Sequence, residues 1–141
     1  MAGISGSADE GCYSVIVAGA YSDVDVDSGN EVLYSAPKSH DTRDPEPDLS
    51  NHGTKVLLRS ADTRKPIRVL RQSTGHWEGR PRVGLRYDGL YMIHEYTRKK
   101  NGHGGGFIQF RLKRCSNQPP IDRSRPTQEE KELFRRVKDR F

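Results

Sequence analysis

The sequence predicts an α+β domain in which short strands form a curled, barrel-like sheet with peripheral helices and a helix at the C-terminus. Two patterns support this fold class. Short apolar or alternating segments, typical of strands, recur along the chain, and one longer segment near the end has the spacing of an amphipathic helix. A chain of 141 residues with 32% hydrophobic residues can bury one core and leaves much of its length for loops.

The first half contains two predicted strands and a long loop. Tyr13–Ala18 is apolar and β-branched, which predicts a buried strand, and Glu31–Ser35 predicts a short second strand. Residues 36–53 are rich in Pro, Asp and Ser and predict a loop. Lys55–Arg59 is a short apolar segment that fits either a strand or a single helical turn.

The second half predicts three further strands. Ile67–Arg71 alternates and fits a half-buried strand, and a glycine-containing loop follows at Ser73–Pro81. Leu90–Thr97 and Phe107–Lys113 also alternate, so they predict an antiparallel hairpin around a glycine-rich tip at residues 99–106. Such a tip can touch a phosphate backbone or serve only as a flexible turn.

The C-terminal helix has the clearest local signals. Thr127 followed three residues later by Glu130 predicts a capping box. Four apolar side chains then share one face, which we expect to pack on the sheet: Leu133, Phe134, Val137 and Phe141. The expected organisation is therefore a domain over residues 1–120 and an amphipathic helix over residues 121–141.

The charge is distributed unevenly. Residues 1–52 hold ten acidic and two basic side chains, a net charge of −8, whereas residues 53–141 carry +13, within a total of +5. A basic half favours a polyanion such as nucleic acid, because each neutralised phosphate releases condensed counterions. An ordinary solvated surface is the alternative.

Catalytic and metal-binding patterns are not found. The five histidines lack the spacing of a zinc site, and no Ser or Cys lies in a nucleophile motif. The stretch Asp23–Gly29 resembles a calcium loop only partly, since its glycine comes one position late and Tyr34 replaces the closing Glu. We therefore expect no enzyme activity, no metal ion and no cofactor.

Targeting signals and disulfides are not expected either. No apolar run approaches the roughly 18 residues that span a membrane, and Met1–Gly6 lacks the features of a signal peptide. Cys12 and Cys115 are too few for a disulfide framework. These observations predict an intracellular protein with two reduced thiols and no membrane contact.

The stretch from Tyr21 to Tyr34 has the chemistry of a pocket for a nucleobase. Tyr21 and Tyr34 offer faces for stacking, worth roughly 1–3 kcal/mol per base. An Asp can accept from the N4 amino group of cytosine, and the backbone amides of Ala18, Gly19 and Ala20 can reach its acceptors. The alternative is that these are ordinary strand aromatics and turn residues.

Five segments carry a recognisable spacing: Tyr13–Tyr21, the stretch 22–35 with Asn30, Tyr34 and Ser35, then Arg86–Tyr91 with the Tyr-Asp-Gly tripeptide, Gly102–Phe110 and Arg111–Arg114. Together they resemble the SRA domain, also called YDG, which binds DNA carrying 5-methylcytosine. The resemblance runs from about Ala2 to Pro120. It implies a strongly curved, partly open β-barrel of the SRA/PUA-like type, without catalytic activity.

The resemblance also implies roles for individual residues. A flipped 5-methylcytosine would lie between Tyr21 and Tyr34, with Ser35 helping to form the methyl pocket. Asp25 is the expected base-reading carboxylate when the alignment is anchored at the following Asn and Tyr; an alignment anchored at Tyr21 favours Asp23 or Val24 instead. The Tyr-Asp-Gly tripeptide is expected to be structural, a turn that enters a strand.

Three departures from the family pattern stand out. Residues 36–40 replace a glycine-rich stretch, and the loop that enters the major groove is shortened to Thr42–Gly53 without its basic tip. The chain also begins near Ala2, where family members have already completed an N-terminal strand and a groove-entering loop. Lys38, Arg43, Lys99 and Lys100 are the expected contacts to the DNA backbone.

These observations lead to a hypothesis with two alternatives. The leading hypothesis is a monomeric, nuclear DNA-binding module that flips out modified cytosine in double-stranded DNA, with chromatin proteins as further partners. The first alternative is a scaffolding domain that kept the fold and lost base reading. The second is the specificity module of a modification-dependent nuclease.

Overall fold

The computed structural model describes residues 3–19 and 24–140, apart from the side chains of residues 134 and 138–140. Within these ranges the chain forms seven strands and two helices. In chain order they are β1 (Ile4–Ser7), β2 (Gly11–Val17), β3 (Val26–Asp27), β4 (Glu31–Ser35), α1 (His52–Thr63), β5 (Ile67–Gln72), β6 (Leu85–Lys100), β7 (Gly106–Arg114) and α2 (Gln128–Arg140).

The strands form one mixed sheet in the order β1-β2-β5-β6-β7-β4-β3. The β2–β5 pair is parallel and the other neighbours are antiparallel. The sheet curls strongly and brings β4 close to the start of β1. A Cβ on Gly3, just before β1, would lie 3.4 Å from the hydroxyl of Tyr34 on β4. The predicted class, an α+β fold with a curved and partly open barrel, is confirmed.

The alternating segments behave as their patterns predict. On β5, Ile67 and Val69 are buried while Arg68 is exposed, and β6 and β7 form the expected antiparallel hairpin. The interior is filled by one apolar cluster with contributions from β2, β4, β5, β6, β7 and α1. Strands β1 and β3, which the sequence did not predict, have only four and two residues, too few for a readable period.

The prediction for Lys55–Arg59 was wrong in extent. These residues lie inside α1, which has 12 residues and begins after Asn51, whose side chain accepts a hydrogen bond from the Thr54 amide at 3.4 Å. Two of the four buried positions of α1 are polar, Thr54 and Ser60. Apolar periodicity therefore covered only the middle of the helix.

The Tyr-Asp-Gly tripeptide lies within β6, so the expected strand-entry turn is instead a β-bulge. Val69 pairs with Gly89 and Leu70 with Tyr87, which leaves Asp88 as the extra residue. Gly89 has φ +113°, and a Cβ there would approach the side chain of Gln118 to 2.8 Å. Both constraints favour glycine at this position.

The helix α2 has the predicted start. The Glu130 amide donates to Thr127 Oγ1 at 3.3 Å, and the Thr127 amide donates to Glu130 Oε1 at 3.0 Å. We expected its apolar face to pack on the sheet, but two residues of that face are exposed: Leu133 by 61% and Val137 by 47%. Phe141 and the Phe134 side chain lie outside the described residues. No helix in the described ranges is long and apolar enough to span a membrane.

Candidate nucleic-acid interface

Asp25 and the end of β4 lie together, as the base-pocket prediction requires. The Ser35 amide donates to Asp25 Oδ1 at 2.9 Å, because β3 pairs antiparallel with β4 and places the residue before β3 beside the end of β4. Tyr34 and Ser35 are buried, with 7% and 2% of their surfaces exposed. The Asp25 carboxylate therefore lies at the strand positions of Tyr34 and Ser35.

Gln109 is a polar residue of this region that the sequence analysis missed. It pairs across strands with Ser35, and its Nε2 donates to Val24 O at 2.7 Å and to Ser35 Oγ at 3.4 Å. Gln109 thus links the residue before Asp25 to the end of β4. The available signal was a single amide side chain inside an apolar run, since Ile108 and Phe110 flank it.

The Ala18–Gly19 turn packs against the loop that follows β5. The Gly19 amide donates to Thr74 Oγ1 at 3.4 Å, and a Cβ on Gly19 would lie 2.2 Å from the Thr74 carbonyl oxygen. Only glycine fits such an approach. Residues 20–23 lie outside the described residues, and among them are the predicted pocket residues Ala20 and Tyr21 and the alternative carboxylate Asp23.

A buried ionic network lies next to this region. Arg71 on β5 is 1% exposed, and its guanidinium forms a bidentate pair with Asp27 at 2.8 Å for both bonds. It also donates to Gly29 O at 2.5 Å and to Asp88 Oδ2 at 2.9 Å. The Arg71 side chain therefore links β5 and β6 to β3, which begins directly after Asp25, and to the turn that follows β3.

Asp88 shows why the Tyr-Asp-Gly tripeptide is structural. Its carboxylate accepts from Arg71 and from Arg86, whose Nε and Nη2 lie 2.5 Å and 2.8 Å from the two oxygens. The Asp88 carbonyl also accepts from Arg114 Nε at 2.9 Å. The bulge at Asp88 directs this carboxylate into the barrel between two arginines, while Tyr87 is 53% exposed.

The network keeps its arginine charged. Burial alone would lower the pKa of Arg71, but the hydrogen bonds and charge of Asp27 outweigh it, and the pKa is raised. Tyr91 donates to Gly29 O and accepts from Arg71. Its own pKa is raised by burial, and the neighbouring Arg71 opposes that shift.

The four expected backbone contacts lie around one end of the barrel. Lys38, Arg43, Lys99 and Lys100 are all exposed. Asn101 brings the hairpin tip to the loop, since its Nδ2 donates at 2.8 Å to the carbonyl oxygens of Ser39 and Thr42. The same loop supplies carboxylates, and Glu46 pairs with Arg98 at 3.3 Å. Basic and acidic groups are therefore interleaved there.

Comparison with known sequences places this geometry in a family. The SAD/SRA domain model matches residues 1–118. A UHRF1-like protein of Cryptococcus neoformans var. grubii is 32% identical over 136 residues, covering 86% of this chain and 40% of that protein. The E3 ubiquitin-protein ligase UHRF1 of Xenopus laevis is 34% identical over 143 residues, covering 84% of this chain and 18% of that protein. The chain thus spans less than half the length of these curated relatives.

Solved structures show the same similarity. The modification-dependent restriction endonuclease TagI superposes with a TM-score of 0.74 at 32% identity, over 83% of this chain and 43% of that chain. The SRA domain of SUVH5 in complex with methylated CHH DNA superposes with a TM-score of 0.68 at 26% identity, over 86% of this chain and 78% of that chain. The resemblance carried by the sequence segments is confirmed, and this chain belongs to the SAD/SRA domain family.

Proposed function

We propose that this domain binds double-stranded DNA and holds a flipped 5-methylcytosine in a pocket formed by Tyr21, Asp25, Tyr34 and Ser35. The observation that carries the proposal is the hydrogen bond from the Ser35 amide to Asp25 Oδ1, at the residue that follows the buried Tyr34 on β4. It joins the expected base-reading carboxylate to the expected methyl-pocket residue. The amides of Ala18, Gly19 and Ala20 complete the proposed pocket, and the Gly19 amide would exchange its 3.4 Å hydrogen bond to Thr74 Oγ1 for one to the base.

The chemistry of Asp25 suits the amino edge of cytosine. A carboxylate accepts up to about four hydrogen bonds, so the bond from Ser35 orients it and the N4 amino group can donate to it as well. Asp27, two residues later, is engaged with Arg71 in the buried pair. Asp27 is therefore occupied by Arg71, whereas the carboxylate of Asp25 lies at the end of β4 beside Ser35.

Flipping a base costs a few kcal/mol of lost stacking and pairing. Stacking on a tyrosine, worth roughly 1–3 kcal/mol per base, and the charge-assisted hydrogen bond to Asp25 would offset that cost. The buried position of Tyr34 and Ser35 keeps water from competing for the same contacts. The domain itself then acts by binding, without catalysis.

The solved neighbours support a DNA partner of this kind. SRA domains of SUVH5 have been solved with methylated CHH DNA and with fully hydroxymethylated CG DNA. By analogy with such relatives, we place this domain on modified DNA in the nucleus, as a monomer next to chromatin proteins. Lys38, Arg43, Lys99 and Lys100 are proposed contacts to the backbone.

A second function is favoured by one observation. The similarity to TagI reaches a TM-score of 0.74 and covers 43% of that restriction endonuclease. The same binding chemistry would then serve as the specificity module of a modification-dependent nuclease. The scaffolding alternative predicts instead that the domain does not distinguish modified from unmodified DNA.

Binding to three matched duplexes tests these proposals. They differ only at one CG step, which carries cytosine, 5-methylcytosine or 5-hydroxymethylcytosine. Tighter binding of a modified duplex supports the base-pocket proposal, whereas equal binding of all three contradicts it and favours scaffolding. Cleavage of the modified duplex on addition of a nuclease chain encoded alongside this one would support the nuclease assignment.

A further inference from the structure

A basic groove lies between the 73–82 loop and the segment that leads into α2. Its volume is about 420 Å³. Five cations and one acid line it: Arg80, Arg82, Arg123, Arg125, Lys131 and Glu78. Glu78 pairs with Arg123 at 3.8 Å and Glu130 pairs with Arg125 at 2.6 Å. The charged residues that line the groove therefore sum to +4, and Glu130 and Asp122, which lie just outside it beside Arg125, offset part of that charge.

Hydrogen bonds from the buried Arg86 hold the two walls of the groove together. Arg86, which is 8% exposed, donates to Gly79 O at 2.7 Å on one side and to Arg125 O at 3.1 Å on the other. Its guanidinium therefore ties the two walls together. Arg80 Nη1 donates to Trp77 O at 3.1 Å. Cations that are already ordered lose less side-chain entropy when they bind an anion.

Trp77 connects the groove to the segment that carries the proposed pocket. Two guanidinium groups lie over the Trp77 ring. The group of Arg123 is 5.2 Å from the ring centre and the group of Arg71 is 4.6 Å from it. A Cβ on Gly29 would lie 2.6 Å from the same ring. The loop that forms one wall also packs on Gly19 through Thr74, so the groove and the pocket segment share a wall.

The local charge distinguishes this groove from the hairpin end. Counted in the same way, over lining residues, the depression beside the hairpin holds one cation, Lys38, and three acids, Asp44, Glu46 and Asp48, a charge of −2. At physiological salt, charges more than about 8 Å apart are largely screened, so the local sum decides where a phosphate is attracted. The groove is the more positive of the two surfaces.

We propose that this groove binds the phosphate backbone of the DNA and carries more of the phosphate contacts than the hairpin end does. The inference rests on the proposed function for its partner. It concerns a different surface, which also binds unmodified DNA because phosphates carry no sequence or modification signal. An acidic protein segment would suit the same charge, and the experiment below separates it from DNA.

Three double variants with the same change in charge provide the test. Arg82→Gln with Lys131→Gln alters the groove, and Lys99→Gln with Lys100→Gln alters the hairpin tip. Lys55→Gln with Lys65→Gln, two exposed positions on and just after α1, controls for net charge. Fluorescence polarisation measures binding of the full chain to a duplex with one 5-methylcytosine and to its unmodified twin across a salt series. Thermal melting checks that each variant is folded.

The expected result is specific to the groove variant. Its plot of log K against log salt becomes shallower by about 2, one per lost phosphate contact, and its affinity for both duplexes falls roughly tenfold at physiological salt. A groove variant that binds both duplexes like the unaltered protein overturns the inference, as does an equal loss in the α1 control. So does a larger loss in the hairpin variant.

The proposed function can fail separately. If the unaltered protein binds both duplexes equally and the groove variant weakens both, the groove inference stands and the modified-base proposal is contradicted. If the unaltered protein prefers the modified duplex and the groove variant retains full affinity, the modified-base proposal is supported and the groove inference is contradicted. An unaltered protein that binds neither duplex contradicts both.

Discussion

Arg71 and Asp27 form a bidentate ion pair across the inside of the curled sheet, with Nε and Nη2 each 2.8 Å from a carboxylate oxygen. Asp27 ends β3, so the pair holds the short edge strand that begins directly after Asp25. Only the curl of the sheet brings β3 back to β5, since three strands separate them in the sheet order. A buried ion pair thus positions the segment to which we assign base reading.

Loss of Arg71 is expected to destabilise the fold strongly. Arg71→Met leaves the carboxylates of Asp27 and Asp88 without their shared partner, and breaking a buried pair in this way costs about 3–5 kcal/mol. Urea unfolding of the variant measures the loss. Arg68→Met is the matched control, because Arg68 is exposed on the same strand and should change stability by no more than about 0.5 kcal/mol. Equal stability of the two variants would contradict the role of the network.

Gly89→Ala is expected to destabilise the bulge in β6. A side chain at φ +113° is strained, and its Cβ would also approach the Arg114 guanidinium to 2.9 Å. The expected cost is about 1–3 kcal/mol, measured as a lower midpoint in thermal or urea unfolding. Gly102→Ala serves as control, since a Cβ there meets nothing within 4 Å. A neutral Gly89→Ala would show that the backbone can relax at this point.

Asp25→Ala is expected to weaken binding to modified DNA by roughly 1–3 kcal/mol, through loss of the amino-edge contact. Binding to unmodified DNA, which depends on phosphates, should stay unchanged. Competition titrations with both duplexes provide the measurement, and Asp23→Ala should have the smaller effect. If Asp23 is the sensitive position, the alignment is displaced by the inserted residue. If Asp25→Ala, Asp23→Ala and Tyr34→Ala all bind normally, the pocket is not used.

Hemimethylated and fully methylated duplexes are expected to bind within a few-fold of each other, a difference under about 1 kcal/mol. The loop expected to approach the opposite strand is acidic at Asp44, Glu46 and Asp48, and carboxylates avoid the negative potential of the groove. It also folds back on the hairpin, because the Gly106 amide donates to Asp44 O at 2.7 Å. Polarisation assays on matched duplexes measure the ratio. A tenfold hemimethyl preference would mean that another loop reads the second strand, for example Ser73–Pro81.

The two cysteines are expected to differ in reactivity. Burial raises the pKa of the Cys12 thiol to about 12, so it stays protonated at neutral pH and reacts slowly with alkylating reagents. Cys115 is half-buried and free. Mass spectrometry should show one alkylation of the native protein, at Cys115, and two after denaturation. Fast labelling of Cys12 would contradict the core packing around it.

The same raised pKa has a consequence for stability. In the unfolded chain the Cys12 thiol ionises near its ordinary pKa of 9, whereas in the folded chain it keeps its proton until about 12. The folded state therefore binds more protons than the unfolded state between these values, and stability falls as pH rises from 9 to 12. Cys12→Ala should show a weaker decline over that window in urea unfolding.

Local patterns in the sequence predicted most strands, the hairpin and the start of α2. The alternation at Ile67–Arg71 and the Thr127–Glu130 capping box involve neighbouring residues only, so the sequence alone reveals them. The extent of α1 was not readable, because Thr54 and Ser60 are buried by tertiary packing and interrupt its apolar face. The apolar positions Leu133 and Val137 share a helix face as predicted, yet nothing local determines whether that face is covered.

The candidate site was likewise predictable from the sequence in part only. The sequence by itself determined the family, through segments whose spacing the SAD/SRA domain model also matches, and it pointed to the residues proposed for the pocket. Only the tertiary structure decided that Asp88 serves the Arg71 network, that Gln109 holds Ser35 and Val24, and that a basic groove adjoins Trp77. The physical reason is separation along the chain, since Arg71 meets Asp27 across 44 residues and Gln109 meets Val24 across 85. Contacts of that length depend on how the sheet curls, and no local period in the sequence records the curl.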